Sequence, residues 1–210
     1  DLLLKYKFWI SGEYYLRIKH ALIGAPGAKI SQITEVHSHP VALAQCEEFL
    51  DTTLSRAERF ESHDTAGSVA ALATDKKPRQ AAIASVAAAK LYEMAVLKEG
   101  IETNKQNYTR FIALDAKQSI ADNSNKTSVV MEAANTPGSL YRALGVFADK
   151  DMNLSKLESR PIIGKAWHYM FYIDFEAGLE EERTNSALKI LEEMDNRVQV
   201  LGSYQKHSLL

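Results

Sequence analysis

Asn107-Tyr108-Thr109-Arg110-Phe111-Ile112-Ala113-Leu114 is the stretch on which the reading of this chain turns. Everything before it reads as one α/β unit, and everything after it, past a polar linker, as another. Tyr108, Thr109 and Phe111 favour extended backbone, and Ile112 and Leu114 share one parity, so the run is expected to be a strand. Neighbours in a strand point to opposite faces, so only one of Thr109 and Arg110 can face a cleft. Taken alone, Thr109 is an ordinary strand threonine. Arg110 is as able to meet a carboxylate of the protein as one of a ligand.

Upstream, strands alternate with helices, which predicts a mainly parallel sheet with ligands at the carboxyl ends of its strands. Asp1–Lys5 reads as a helix end. Phe8–Ile23 reads as strand, broken by Gly12, with Tyr14, Leu16 and Ile18 on one parity and one face buried. Gly24–Ala28 is a turn and Ile33–Val36 a short strand. A helix starts at Pro40, its apolar face made by Leu43, Cys46, Phe49 and Leu50. Arg59–Ser62 is a strand. Asp64 caps a second helix, which buries Val69, Leu72 and Ala73. Lys76-Lys77-Pro78-Arg79 is an exposed connection, Ala81–Ser85 a buried strand, and Val86–Leu97 a third helix closed by Gly100. His37-Ser38-His39-Pro40 and Asp64-Thr65-Ala66 both fall where a strand end meets a helix start.

Downstream, residues 116–126 form the polar linker. Then come a strand at Thr127–Ala133 and a helix from Ser139 to about Lys150, burying Leu140, Leu144 and Phe147. Strands follow at Leu154–Ser159 and Trp167–Phe175. A helix at Leu179–Met194 has Leu188, Leu191 and Met194 on one side, and Val198–Tyr204 is the last strand. That order, β-α-β-β-α-β, is the ferredoxin-like unit.

Composition excludes several classes. The 210 residues are 46% hydrophobic and 25% charged, as in ordinary globular chains, and the net charge of −2 leaves no footprint for nucleic acid. One cysteine, Cys46, allows no disulfide framework and no multi-cysteine metal site, and fits a reducing compartment. No apolar run is long enough to span a membrane and no signal peptide is visible, so a cytoplasmic location is expected. Phosphate loops, nucleotide fingerprints and zinc spacings are lacking, and the six histidines form no ligand pattern. The chain opens on Asp1-Leu2-Leu3-Leu4 without a methionine and reads as cut from something larger.

Four short motifs stand in order before Leu114: Ser38-His39-Pro40 with Ala42-Leu43-Ala44-Gln45-Cys46; Asp64-Thr65-Ala66-Gly67-Ser68; Ala82-Ile83-Ala84-Ser85; and Asn107-Tyr108-Thr109-Arg110-Phe111. Together they resemble the prephenate dehydratase family, with Val41 standing where a glutamine is usual. The resemblance implies a two-lobed catalytic fold like that of the periplasmic binding proteins. Residues 1–115 would hold its second lobe and returning strand, and a preceding segment with a glycine-rich turn and a Pro-Ile-Glu-Asn-Ser stretch would complete the first. It implies the decarboxylating dehydration of prephenate to phenylpyruvate in phenylalanine biosynthesis, without cofactor or metal. Thr109 would be the catalytic hydroxyl, and Ser38, His39, Asp64, Thr65, Ala66, Arg110 and Phe111 would bind substrate. The 210 residues alone would be inactive.

In the second half, Gly138-Ser139-Leu140-Tyr141 and Asn153-Leu154-Ser155-Lys156-Leu157-Glu158-Ser159-Arg160-Pro161 resemble the signatures of ACT regulatory modules, over residues 127–210. The resemblance implies L-phenylalanine as a feedback effector, held by Gly138, Ser139, Leu140, Tyr141, Asn153, Leu154 and a Glu158-Ser159-Arg160-Pro161 turn. It also implies a homodimer or homotetramer. On the residues alone, Glu158 and Arg160 are a surface ion pair. The rival reading is a non-catalytic amino-acid sensor with a degenerate binding lobe.

Overall fold

The computed structural model describes residues 2–75 and 77–207. Asp1 of the expected first helix, Lys76 of the expected connection and the last three residues of the expected second domain lie outside the described residues. The contacts make two compact units. Residues up to Leu16 group with those from Arg110 onward, and Arg17–Thr109 form the other.

A short helix α1 (Leu2–Tyr6) and a strand β1 (Trp9–Arg17) open the chain. The unit Arg17–Thr109 then holds β2 (Ala21–Gly24), β3 (Glu35–Ser38), α2 (Pro40–Gln45), α3 (Glu47–Thr53), β4 (Glu58–Glu61), α4 (Thr65–Asp75), β5 (Gln80–Ala84), α5 (Val86–Leu91) and β6 (Ala95–Glu99). Its five strands lie in the order β4-β3-β5-β2-β6. β3 runs parallel to β4 and β5, while β2 is antiparallel to β5 and β6. Strand residues alternate between two cores. Leu22, Val36, Ala81 and Ile83 pack with Leu43, Cys46 and Leu50 of the α2–α3 layer. Ala21, Ile23, Ala82 and Ala84 pack with Val69, Leu72 and Ala88 of α4 and α5.

Several expectations are corrected here. Gly12 does not break β1; the interruption comes after Arg17, before β2. The one buried face expected of this strand is that of Glu13 and Tyr15, which turn inward toward Lys126, while Tyr14 and Leu16 are exposed. The strand expected at Ile33–Val36 starts two residues later, after a 3-10 turn at Ile30–Gln32. The helix from Pro40 is split at Cys46 into α2 and α3. The helix expected over Val86–Leu97 stops at Leu91; Glu93 takes a left-handed φ of 53°, and β6 follows. Val96 packs on one core and Leu97 on the other, and only extended backbone puts consecutive side chains on opposite faces of the sheet.

After β7 (Tyr108–Asp115), which pairs with β1, come β8 (Lys126–Glu132), α6 (Ser139–Asp149), β9 (Leu154–Pro161), β10 (Tyr169–Phe175), α7 (Glu182–Glu193) and β11 (Arg197–Tyr204). The four-stranded antiparallel sheet runs β11-β8-β10-β9, which is the ferredoxin-like order. Val129, Met131, Ile173 and Phe175 bury one face against Ala143, Val146, Phe147, Ala187 and Leu191 of α6 and α7. Leu140 and Leu144 are only half-buried, and Met194 is 40% exposed beyond the end of α7. The other face, Val130, Leu201 and Tyr204, is covered by Leu3, Leu4 and Ile10. Trp167, expected to begin a strand, has a φ of 63° and is 80% exposed; β10 starts at Tyr169. Among the described residues no helix is long and apolar enough to cross a membrane.

Candidate functional site

β3 and β4 are parallel neighbours with Ser38 opposite Glu61, and the Ser62 N–H donates to the Ser38 carbonyl at 2.8 Å. The helices after them, α2 and α4, therefore start at one edge of the sheet. α5 starts there too, because β5 is parallel to β3. First-turn N–H groups lack intrahelical partners, so this edge suits carboxylates. Thr65 is half-buried and Ala66 exposed at the start of α4, the longest of these helices.

The side chains of Ser38, His39 and Asp64, all expected at this edge, already have partners. The Ser38 hydroxyl is fully buried and donates to the Ile83 carbonyl at 2.7 Å, so it is bound inside the sheet and not directed at a ligand. His39 caps α2, its Nδ1 accepting from the Val41 N–H at 3.2 Å. The Asp64 carboxylate accepts from the Gly67 N–H at 2.5 Å, which is the capping role expected of it.

On β7, Thr109 and Phe111 are exposed and Arg110 is half-buried. Arg110 is the clearest correction among the expected substrate-binding residues. Its Nη1 donates to Asp174 at 2.5 Å, its Nη2 to the Tyr204 hydroxyl at 2.6 Å, and its Nε lies 2.7 Å from Glu13. Burial works against its charge, and Asp174, Tyr204 and Glu13 more than offset this, leaving its pKa above the ordinary value. Its guanidinium is spent within the protein.

A cavity of about 460 Å³ in the same unit as Thr109 is lined by Glu47, Glu48, Asp51, Glu102, Gln45 and Asn107. Its carboxylates repel an anionic ligand.

In the ferredoxin-like half, Gly138 stands at the N-terminus of α6 with φ 77°. Beside it lies a pocket of about 180 Å³. Asn135, Ser139 and Leu140 line one side, Trp167, Tyr169 and Phe171 the other. The Glu158–Pro161 segment is not a turn but the end of strand β9. Tyr169 pairs with Pro161 and Phe171 with Ser159, so Ser159 and Pro161 share the pocket's face of the sheet. Glu158 and Arg160 point to the other face and pair with each other at 2.7 Å. Lys156 and Arg160 hold the Glu158 carboxyl below the usual range. Tyr141 is 82% exposed, and Leu154, at the far end of β9, and Asn153, just before it, are outside the pocket lining. Asn135, Trp167, Tyr169 and Phe171 were not anticipated. The apolar alternation of β10 was visible, but the partner strand that turns its aromatic parity toward α6 was not.

A prephenate dehydratase family model matches residues 1–119, and an ACT domain model matches residues 127–193. Arogenate dehydratase 2 of Petunia hybrida is 39% identical over 99% of this chain and 56% of its own length. The bifunctional chorismate mutase/prephenate dehydratase of Aquifex aeolicus is 37% identical over 98% of this chain and 56% of its own. The chain thus spans little more than half the length of these relatives. Among solved structures, a prephenate dehydratase of Arthrobacter aurescens in complex with L-Phe superposes with a TM-score of 0.84, at 33% identity, over 95% of this chain and 66% of that one. The parallel strands with helix starts at one edge, the returning strand with Thr109 exposed, the ferredoxin-like sheet and a family match over more than half the residues agree: the chain belongs to the prephenate dehydratase family.

Proposed function

We propose that this chain supplies the second lobe, the returning strand and the regulatory module of a prephenate dehydratase, within the domain limits 1–115 and 127–210. The substrate loses its ring hydroxyl as water and its ring carboxylate as carbon dioxide, and gains an aromatic ring. Aromatisation drives the reaction, so the enzyme has mainly to help hydroxide leave, which requires a donor at that oxygen. Thr109 is that donor, an oriented hydroxyl more than a free acid. The observation that carries this reading is that Thr109 stands exposed on β7 within an intact Asn107–Phe111 motif. The first-turn amides at Thr65 and Ala66, with those following His39, receive the substrate carboxylates. Cys46 is buried as a free thiol, which suits a reducing compartment such as the cytoplasm.

L-Phenylalanine is the effector, its ring against Tyr169 and Phe171 and its carboxylate at the start of α6, in an assembly of two or four chains. The test of catalysis uses the chain extended at its N-terminus by a first lobe of the family. Thr109→Ala lowers turnover roughly a hundredfold to a thousandfold, the usual cost of one positioned donor, while Thr109→Ser retains most of it. Near-normal turnover in Thr109→Ala removes the assignment. Because the petunia relative is named for arogenate, both substrates are assayed.

A further inference from the structure

Glu13 of β1, Arg110 of β7, Lys126 of β8 and Asp174 of β10 form a cluster of two acids and two bases, with side chains 0%, 21%, 2% and 6% exposed. Lys126 Nζ donates to both Glu13 oxygens, at 3.0 and 2.8 Å. The second oxygen of Asp174 accepts from the Ser128 hydroxyl at 2.5 Å, and that hydroxyl lies 2.7 Å from the Tyr204 hydroxyl. Buried charges are tolerable only while all are paired, so such a cluster moves as a unit or comes apart.

Its position gives it a use. β10 carries Tyr169 and Phe171 into the pocket beside α6, and Asp174 lies three residues past Phe171, roughly 10 Å along the same strand. Asp174 holds Arg110, and Arg110 is peptide-bonded to Thr109. Strand, buried ion pair and strand are stiff elements in series. We infer that Arg110 is a positioning residue whose cluster fixes β7, and with it the Thr109 hydroxyl, against β10, so that occupancy of the effector pocket reaches Thr109 through Asp174 and Arg110. The inference rests on the reading of Thr109 as donor and phenylalanine as effector.

One test needs no turnover. Hydrogen exchange of the β7 amides is followed in the 210-residue chain with and without saturating L-phenylalanine, beside calorimetric titration. In the parent chain the ligand changes β7 exchange. Asp174→Asn keeps its binding within about twofold, because Asp174 lies outside the pocket, but loses the change in β7. Ser128→Ala, which removes one hydrogen bond to Asp174, gives a partial loss and serves if Asp174→Asn does not fold. Binding by the parent with β7 unchanged, or a full β7 response in Asp174→Asn, overturns the inference and leaves the effector reading standing. No binding heat in the parent overturns that reading and the inference with it. In the lobe-extended enzyme, Arg110→Gln lowers kcat about a hundredfold, the cost of roughly an ångström's misplacement, with KM little changed, and Arg110→Lys recovers part of it. A rise in KM alone would return Arg110 to the substrate and overturn the inference.

Discussion

A polar side chain is committed by the partner it already has, and at the residue scale this sorts the candidate site. Ser38, Asp64 and Arg110 hold internal hydrogen bonds, while Thr109 stands exposed. Glu102 shows the same commitment in the other unit. Burial pushes its pKa up, but its own backbone amide, the His20 N–H at 3.0 Å and nearby Lys105 outweigh burial and hold it below the ordinary carboxylate value. A carboxyl with a depressed folded-state pKa stabilises fully above its unfolded value of about 4.3 and loses that contribution as pH falls through the folded value. Glu102→Gln is therefore expected to lower stability at neutral pH by about 1–3 kcal/mol and to flatten the acid limb of the stability curve, read by denaturant titration from pH 7 to 3. An acid limb as steep as the parent's would reject this. The capping role of Asp64 was legible because a capping residue precedes its own helix in sequence. The partners of Arg110 were not, since Asp174 lies 64 residues away and nothing local marks it.

Elements were legible where their pattern was local. The β-α-β-β-α-β order and the strand–helix junctions at His39 and Asp64 follow from periodicity and punctuation, and both stand in the structure. The reading failed where tertiary pairing overrode propensity, as in β6, which completes the sheet beside β2 although its sequence continues an alanine-rich helix. It failed again at Glu158–Pro161, where a proline suggested a turn and an edge strand tolerates it. Helix α6 offers a test at this scale. Gly138 has a positive φ, and a Cβ there would sit 2.9 Å from Arg142 Nη1. Gly138→Val strains the backbone by roughly 1–3 kcal/mol and distorts the start of α6, so calorimetry should show the phenylalanine heat lost. Gly145→Ala, inside the same helix where a Cβ meets nothing within 4 Å, should keep that heat and gain about 1 kcal/mol of stability. Equal heats from parent and Gly138→Val would place the ligand elsewhere.

For the whole molecule, composition places the break between halves at the polar run 116–126, whereas the contacts group the residues up to Leu16 with those from Arg110 onward. The cause is a close approach that no sequence pattern announces. β1 passes over β11 at Gly202, where a Cβ would overlap the Ile10 carbonyl oxygen, and Ile10 with Leu3 and Leu4 then covers the second face of the four-stranded sheet. Two backbones can come this near only where one lacks a side chain. The same passage brings Glu13, three residues on, to Lys126 and Arg110, so the ion cluster depends on it. Gly202→Val must either push β1 off the sheet or bend β11. Forcing extra methyls into a packed contact costs typically about 1–3 kcal/mol, and for a chain of this size that lowers the melting temperature by roughly 2–12 °C. The loss should come from the unit that holds β1 and β11. Hydrogen exchange should rise in β1 and β11 and stay at parent levels in β3 and β5. An unchanged melting temperature, or a rise in exchange spread evenly over both units, would mean that β1 is not held by this contact.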